Sequence, residues 1–133
     1  MAIVVGYVPT VEGRTALQVA ARECRLRRTN LIVINSNRGG KELDAVEAAR
    51  YEEELEAIKA DLSAAGIAAE VRQLVRGLEP AEDLIAVAEE VNADFIVIGL
   101  RRRSPVGKLI LGSNAQRILL DAPCPVLAVK AEV

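Results

Sequence analysis

The sequence predicts a single open α/β domain, and three observations carry that expectation. Short β-branched apolar runs recur along the chain, a segment with helical apolar spacing separates each run from the next, and the 133 residues suit one domain. Strands that are always separated by a helix must be parallel and joined by right-handed crossovers, so helices cover both faces of the sheet. No linker, repeat or low-complexity stretch divides residues 1–133.

The elements follow in order. Ile3-Val4-Val5 forms the first strand. Thr10 stands where a helix cap is wanted, and residues 12–27 carry the stripe Leu17, Ala20, Ala21 and Cys24 along one helical face. Leu31-Ile32-Val33-Ile34 is the second strand. Residues 41–65 place Tyr51, Leu55, Ile58 and Leu62 at i, i+4, i+7 and i+11. The Glu and Lys on the other side of that helix form a solvated exterior, not an acidic binding site. Gly66 supplies its C-cap. Residues 69–75 alternate apolar and polar, as an edge strand with one wet face should, whereas the other four runs are nearly continuous and expect cover on both faces. Pro80 opens the third helix at a first-turn position, with Leu84, Ile85, Val87, Ala88 and Val91 on its buried side. Phe95-Ile96-Val97-Ile98 is the fourth strand, residues 113–120 a short helix entered from Gly112, and Val126-Leu127-Ala128-Val129 the fifth strand.

Composition removes several classes of function. The chain has 17 Lys+Arg against 19 Asp+Glu, a net charge of -2, which argues against a general nucleic-acid or membrane-surface binder. An apolar fraction of 51% excludes disorder, and no run approaches the roughly 20 apolar residues of a membrane span. The absence of His removes most metal sites and all Ser-His and Cys-His catalysis. Cys24 and Cys124 lie far apart without C-x-x-C spacing and read as buried, reduced thiols, a redox pair being the alternative. The opening MAIVVGYVPT lacks the pattern of a secretory signal, so the expected setting is the cytoplasm.

In an open α/β sheet, ligands bind beyond the carboxyl ends of the strands, where strand order reverses. That directs attention to loops 6–13, 35–41 and 99–112. The last leaves a strand through Gly99, passes Arg101, Arg102, Arg103 and Lys108, and re-enters a helix through Gly112-Ser113-Asn114. Helix N-termini present unpaired N–H groups and a positive dipole end, and glycine lets a phosphate approach the backbone, so the segment reads as an anion cradle. A solvated Arg run with ordinary capping glycines is the alternative. A Walker loop is absent, because Gly107-Lys108 would need glycine at Arg102 and Ser or Thr at Leu109.

These residues resemble the universal stress protein family over essentially all 133 positions. The likeness is carried by Ala93-Asp94-Phe95-Ile96-Val97-Ile98-Gly99, by Leu111-Gly112-Ser113-Asn114-Ala115-Gln116-Arg117-Ile118-Leu119, and by Pro123-Cys124-Pro125-Val126-Leu127-Ala128-Val129. The ATP-binding branch of that family carries G-x2-G-x9-G-(S/T). Here Gly99 and Gly112-Ser113 match its ends, and Arg102 stands where the middle glycine would be. The resemblance implies a Rossmann-like sheet of order 3-2-1-4-5, of the adenine nucleotide alpha hydrolase-like kind. It also implies a homodimer paired through residues 126–130 and a regulatory role in stress response.

The resemblance further implies ATP or AMP at the carboxyl edge, with Mg²⁺ beside ATP left open. Gly99, Gly112, Ser113 and Asn114 would hold phosphates and ribose; by charge alone, Arg101, Arg103 and Lys108 beside Arg102 form a cationic rim that attracts a polyanion. Ser36 would meet the adenine edge by main-chain bonds. Gly6, Tyr7, Val8 and Pro9 would flank the nucleoside, and Ile98 ends the strand beside them. Two departures bear on this. Val8-Pro9-Thr10 replaces the Asp-Gly-Ser common after strand one, and Arg102 either blocks close backbone approach or forks onto a phosphate. The alternative is a nucleotide-free dimeric interaction protein. No enzyme is expected beyond residual ATP hydrolysis: Asp94 lies at the wrong end of strand four, Asp121 follows the last helix, and most other acids face solvent on the long helix.

Overall fold

The computed structural model describes residues 2–37, 45–75, 79–101 and 111–131. The elements run β1 (Ala2–Gly6), α1 (Val11–Arg27), β2 (Asn30–Asn37), α2 (Ala45–Ala64), β3 (Ala69–Val75), α3 (Pro80–Glu90), β4 (Phe95–Arg101), α4 (Ser113–Asp121) and β5 (Val126–Ala131). Every strand pair is parallel, and the sheet order is β3-β2-β1-β4-β5. The alternating strand falls at one edge, as its half-polar pattern requires.

Alternation along the strands divides the core into two layers. Ile3, Val5, Leu31, Val33 and Val97 point to the face covered by α1 and α2, where Ala16, Ala20, Cys24, Leu55 and Leu62 close over them. Val4, Ile32, Ile34, Ile96 and Ile98 point to the opposite face, against Ala81, Leu84, Val87 and Ala88 of α3 and Ile118 of α4. Small residues on α1 let that helix lie close to the central strands. Cys24 is fully buried within this layer, and burial pushes its thiol up to about 11, reinforced by Glu23. Cys124 is only partly buried, a correction to the expectation of two buried thiols; both cysteines are free.

The helix ends follow local chemistry. The Thr10 side chain accepts from the Gly13 N–H at 3.2 Å and starts α1. After α2, Gly66 takes φ 77°, while its N–H reaches the Ser63 carbonyl and the Ile67 N–H reaches that of Leu62, a Schellman closure. Ile67 and Leu62 then share the same buried cluster. Residues 41–44 of the expected second helix lie outside the described residues.

Two strand ends differ from expectation in a way that matters for the site. β3 partners β2 as far as Asn37↔Val75, and β5 partners β4 as far as Arg101↔Ala131. Ser36 therefore lies inside β2, and Gly99 lies inside β4 instead of opening a loop. The apolar runs marked only the buried part of each strand, whereas the ladder extends past it.

Candidate nucleotide cleft at the switch point of the sheet

β1 is shorter than its neighbours. Its ladder ends at Gly6↔Ile34 on one side and Val5↔Val97 on the other, while β2 and β4 run on. A notch opens between them at the carboxyl edge, where strand order reverses, and this is where such sheets hold ligands.

The notch holds a cavity of about 210 Å³. Gly6, Tyr7, Val8, Ser36, Ile98, Gly99 and Asn114, all marked in the sequence, come together on its wall. A second cavity of about 400 Å³ shares Val8, Ser36, Pro80 and Asn114 and continues towards Asn35, Tyr51 and Gln73. Pro9, Arg101, Gly112 and Ser113 do not line either space; Arg101 is exposed at the end of β4, and Gly112 and Ser113 are exposed at the start of α4. Arg102, with Arg103 and Lys108, lies outside the described residues.

The glycines have separable causes. A Cβ on Gly99 would stand 2.1 Å from the Glu12 main-chain oxygen, so this residue lets the first turn of α1 pack directly on β4. Gly13 is equally confined, its Cβ position lying 1.9 Å from the Val8 oxygen where the β1–α1 turn folds back on the helix. Gly112 is different: among the described residues nothing lies within 4 Å of its Cβ position, and its φ of -71° suits any residue.

The start of α4 is held by its neighbour. Asn114 Oδ1 accepts from the Ala81 N–H of α3 at 3.1 Å, and Arg117 bridges to Glu82 at 3.1 Å. These contacts set the N-termini of α3 and α4 side by side at the cleft. The first intrahelical bond of α4 runs from the Gln116 N–H to the Gly112 carbonyl, so the amides of Ser113, Asn114 and Ala115 precede the helical ladder. They are the group of donors that an anion would meet.

Ser36 presents both backbone and side chain. The Tyr7 N–H bonds to the Ile34 carbonyl at 2.9 Å, and the Tyr7 carbonyl is taken by the Asn35 side chain at 3.1 Å. Two residues beyond Ile34, the Ser36 main-chain groups point to the same side of β2, into the space where β1 has ended. The Ser36 hydroxyl donates to Asp83 Oδ2 on α3. Tyr7 also lines the cleft. Its ring is buried on the α1–α2 side, and its hydroxyl donates to Glu54 at 2.5 Å. Burial and the Glu54 carboxylate hold that phenol far above its ordinary range.

Sequence reasoning missed several contributors. Glu12, Pro80, Leu84 and Ile118 line the cleft, Glu79 lines its extension, and Asp83 is fully buried beneath Ser36. Asp83 was findable: it lies four residues before Val87 and so falls on the apolar stripe of α3, where a carboxylate needs a partner. The acids at the cleft also amend the expectation that acidic residues sit mainly on α2. Asp94 is at the opposite edge as expected, its N–H bonded to the Ala2 carbonyl at 2.8 Å. Among the described residues no group of three His, Cys, Asp or Glu is placed to hold a metal ion, and no helix is long and apolar enough to cross a membrane.

The arrangement joins an apolar wall of Ile34, Leu84, Ile98 and Ile118 to a polar end made by Ser36, Asn114 and the α4 amides. Such an arrangement sets an apolar surface beside backbone donors at a helix N-terminus. An open parallel sheet with this order and a cleft at the switch point defines a Rossmann-like ligand-binding fold. Residues 1–130 match the Universal stress protein family, and the chain belongs to that family. A universal stress protein of Mycolicibacterium smegmatis is 44% identical over 128 residues, covering 96% of each chain. The structure of a universal stress protein from Archaeoglobus fulgidus superposes with a TM-score of 0.83 at 38% identity, covering 98% of each chain. A further Archaeoglobus fulgidus universal stress protein, solved in complex with dAMP, has a TM-score of 0.77 at 32% identity and the same coverage.

Proposed function

We propose that this protein binds an adenine nucleotide, AMP or ATP, in the cleft beyond β1, and that occupancy regulates its contacts during stress. The carrying observation is the start of α4, whose first amides open beside an apolar notch at the switch point. The dAMP complex of the Archaeoglobus fulgidus relative supports the same chemistry. In this reading the amides of Ser113 and Asn114 face the phosphates and Arg101 adds positive charge nearby. Ile34, Leu84 and Ile98 pack on the base, and the Ser36 main chain meets its polar edge. The cellular setting is the cytoplasm, in keeping with two free thiols.

Binding proceeds without efficient turnover. Asp83 is committed to Ser36, while Glu12 and Glu79 stand at the first turn of α1 and the cap of α3. The same reading includes a homodimer. β5 is an edge strand with Leu127 39% exposed, and pairing it with a second copy would satisfy its open side.

Calorimetric titration with AMP and ATP, on wild type and Gly112→Asp, tests the site. No described residue crowds an Asp side chain at this position, where it would cap α4, so the variant should be as stable as wild type or a few tenths of a kcal/mol more so. Its carboxylate would occupy the α4 amides and repel phosphate, lowering affinity by about tenfold or more. ATP hydrolysis by wild type should not exceed that of the variant. Equal affinities would remove α4 from the site, and no binding by wild type would leave the nucleotide-free dimer.

A further inference from the structure

We infer that the exposed end of α1, with Arg22, Arg25, Leu26 and Arg28, docks an acidic segment of another protein that carries an apolar side chain among its carboxylates. The surface lies at the amino edge of the sheet, opposite the nucleotide cleft, and the inference stands whether or not that cleft binds a nucleotide.

α1 closes with Arg22-Glu23-Cys24-Arg25-Leu26-Arg27, and Arg28 follows as its cap. Ala16, Ala20 and Cys24 turn to the core, which leaves Arg22, Arg25 and Leu26 as outer neighbours at i, i+3 and i+4. All three are exposed, as are Arg27 and Arg28, and Leu26 is 72% exposed. Arg27 is engaged within the chain, bridging to Glu23 at 3.0 Å and lying 5.1 Å from the Phe95 ring centroid. Arg22, Arg25 and Arg28 have no carboxylate partner among the described residues, whereas Arg14, Arg72 and Arg117 each have one.

The fold does not account for these side chains. Cations in the last turn offset the helix dipole, a part that Arg25 and Arg27 already fill. Arg22 lies a turn earlier, and Leu26 leaves most of its surface in water. Arg28 holds φ 54°, a left-handed conformation that suits glycine and strains any residue with a Cβ. A strained cap that carries an unpartnered guanidinium points to a use outside the fold.

The surroundings select the partner. Beside Arg28 a cavity of about 780 Å³ opens over Asp94, Phe95 and Pro125. Three guanidiniums around one apolar side chain complement carboxylates grouped about an apolar residue. Nucleic acid fits poorly, because the Glu23 and Asp94 carboxylates stand within the patch and Arg27 covers the Phe95 ring that a base would need. A lipid surface would gain only Leu26 as an inserted group.

Fluorescence anisotropy of the full chain with a labelled Glu-Glu-Glu-Leu-Glu-Glu-Glu peptide tests the surface. Wild type should bind it, with affinity falling about fivefold or more from about 50 mM to about 300 mM salt. The triple variant Arg22→Gln, Arg25→Gln, Arg28→Gln should bind about tenfold more weakly or worse. Leu26→Ser, or Ser in place of the peptide's Leu, should each cost about threefold to fivefold, and both together little more than either alone. Arg28→Gly removes strain and charge at once, so it should melt no lower than wild type yet bind the peptide more weakly, a pair that damage to the fold would not produce. Equal binding by wild type and the triple variant, or none at millimolar peptide in low salt, overturns the inference. Tighter binding of hexauridylate or of phosphatidylglycerol vesicles, or self-association that the triple variant loses, would give the surface to another occupant and overturn it as well.

Discussion

A Cβ on Gly99 would stand 2.1 Å from the Glu12 carbonyl oxygen, so β4 and the first turn of α1 meet backbone to backbone. Gly99→Ala must push these elements apart, at a cost of about 1–3 kcal/mol in urea unfolding. Gly112→Ser, with no described residue near its Cβ position and a helix cap to fill, should leave stability unchanged or raise it by a few tenths of a kcal/mol. Both glycines were legible as members of one spaced pattern, but their reasons were not. The neighbour that confines Gly99 is a main-chain atom 87 positions earlier in sequence, and no local pattern reports it. Asp83 is the converse case. Its place on the apolar stripe of α3 was readable, yet its partner Ser36 lies on another strand and depends on how α3 packs. Cys24 was fully readable, because a small apolar position on a helical stripe is a local property.

Helices and strands were legible where one face is buried and less so at their ends. The stripe Leu55, Ile58 and Leu62 placed α2, and Gly66 marked its stop through a positive φ that glycine adopts at no steric cost. α1 stops differently. Arg28 takes φ 54°, and the Thr29 N–H bonds back to the Cys24 carbonyl, so an ordinary residue does the work of a capping glycine and leaves no mark in the sequence. β5 raises the question of what covers an edge strand, since Leu127 is exposed there. If a second copy pairs along it, sedimentation at micromolar concentration should give a dimer, and Leu127→Glu should shift the protein towards monomer. A wild-type monomer at that concentration would contradict the pairing.

Across the whole molecule, alternation of strands and helices dictated parallel pairing and two helical layers, but it did not dictate order. Right-handed crossovers permit several arrangements, and the choice depends on which faces pack together. The resemblance supplied the order 3-2-1-4-5, which the sheet has. That order brings β2 and β4 to either side of a shorter β1 and so creates the notch. Three parts of the chain meet there: Ser36 from β2, Gly99 from β4 and the start of α4. Amide shift mapping of ¹⁵N-labelled protein during an AMP titration tests the central claim most directly. The amides of Ser36, Ser113, Asn114 and Ala115 should move together along one saturation curve, while those of Asn30 and Asp94 at the opposite edge stay still. No shifts at millimolar AMP, or shifts confined to the separate cavity that Arg14, Leu17, Ile58 and Asp61 line between α1 and α2, would contradict it.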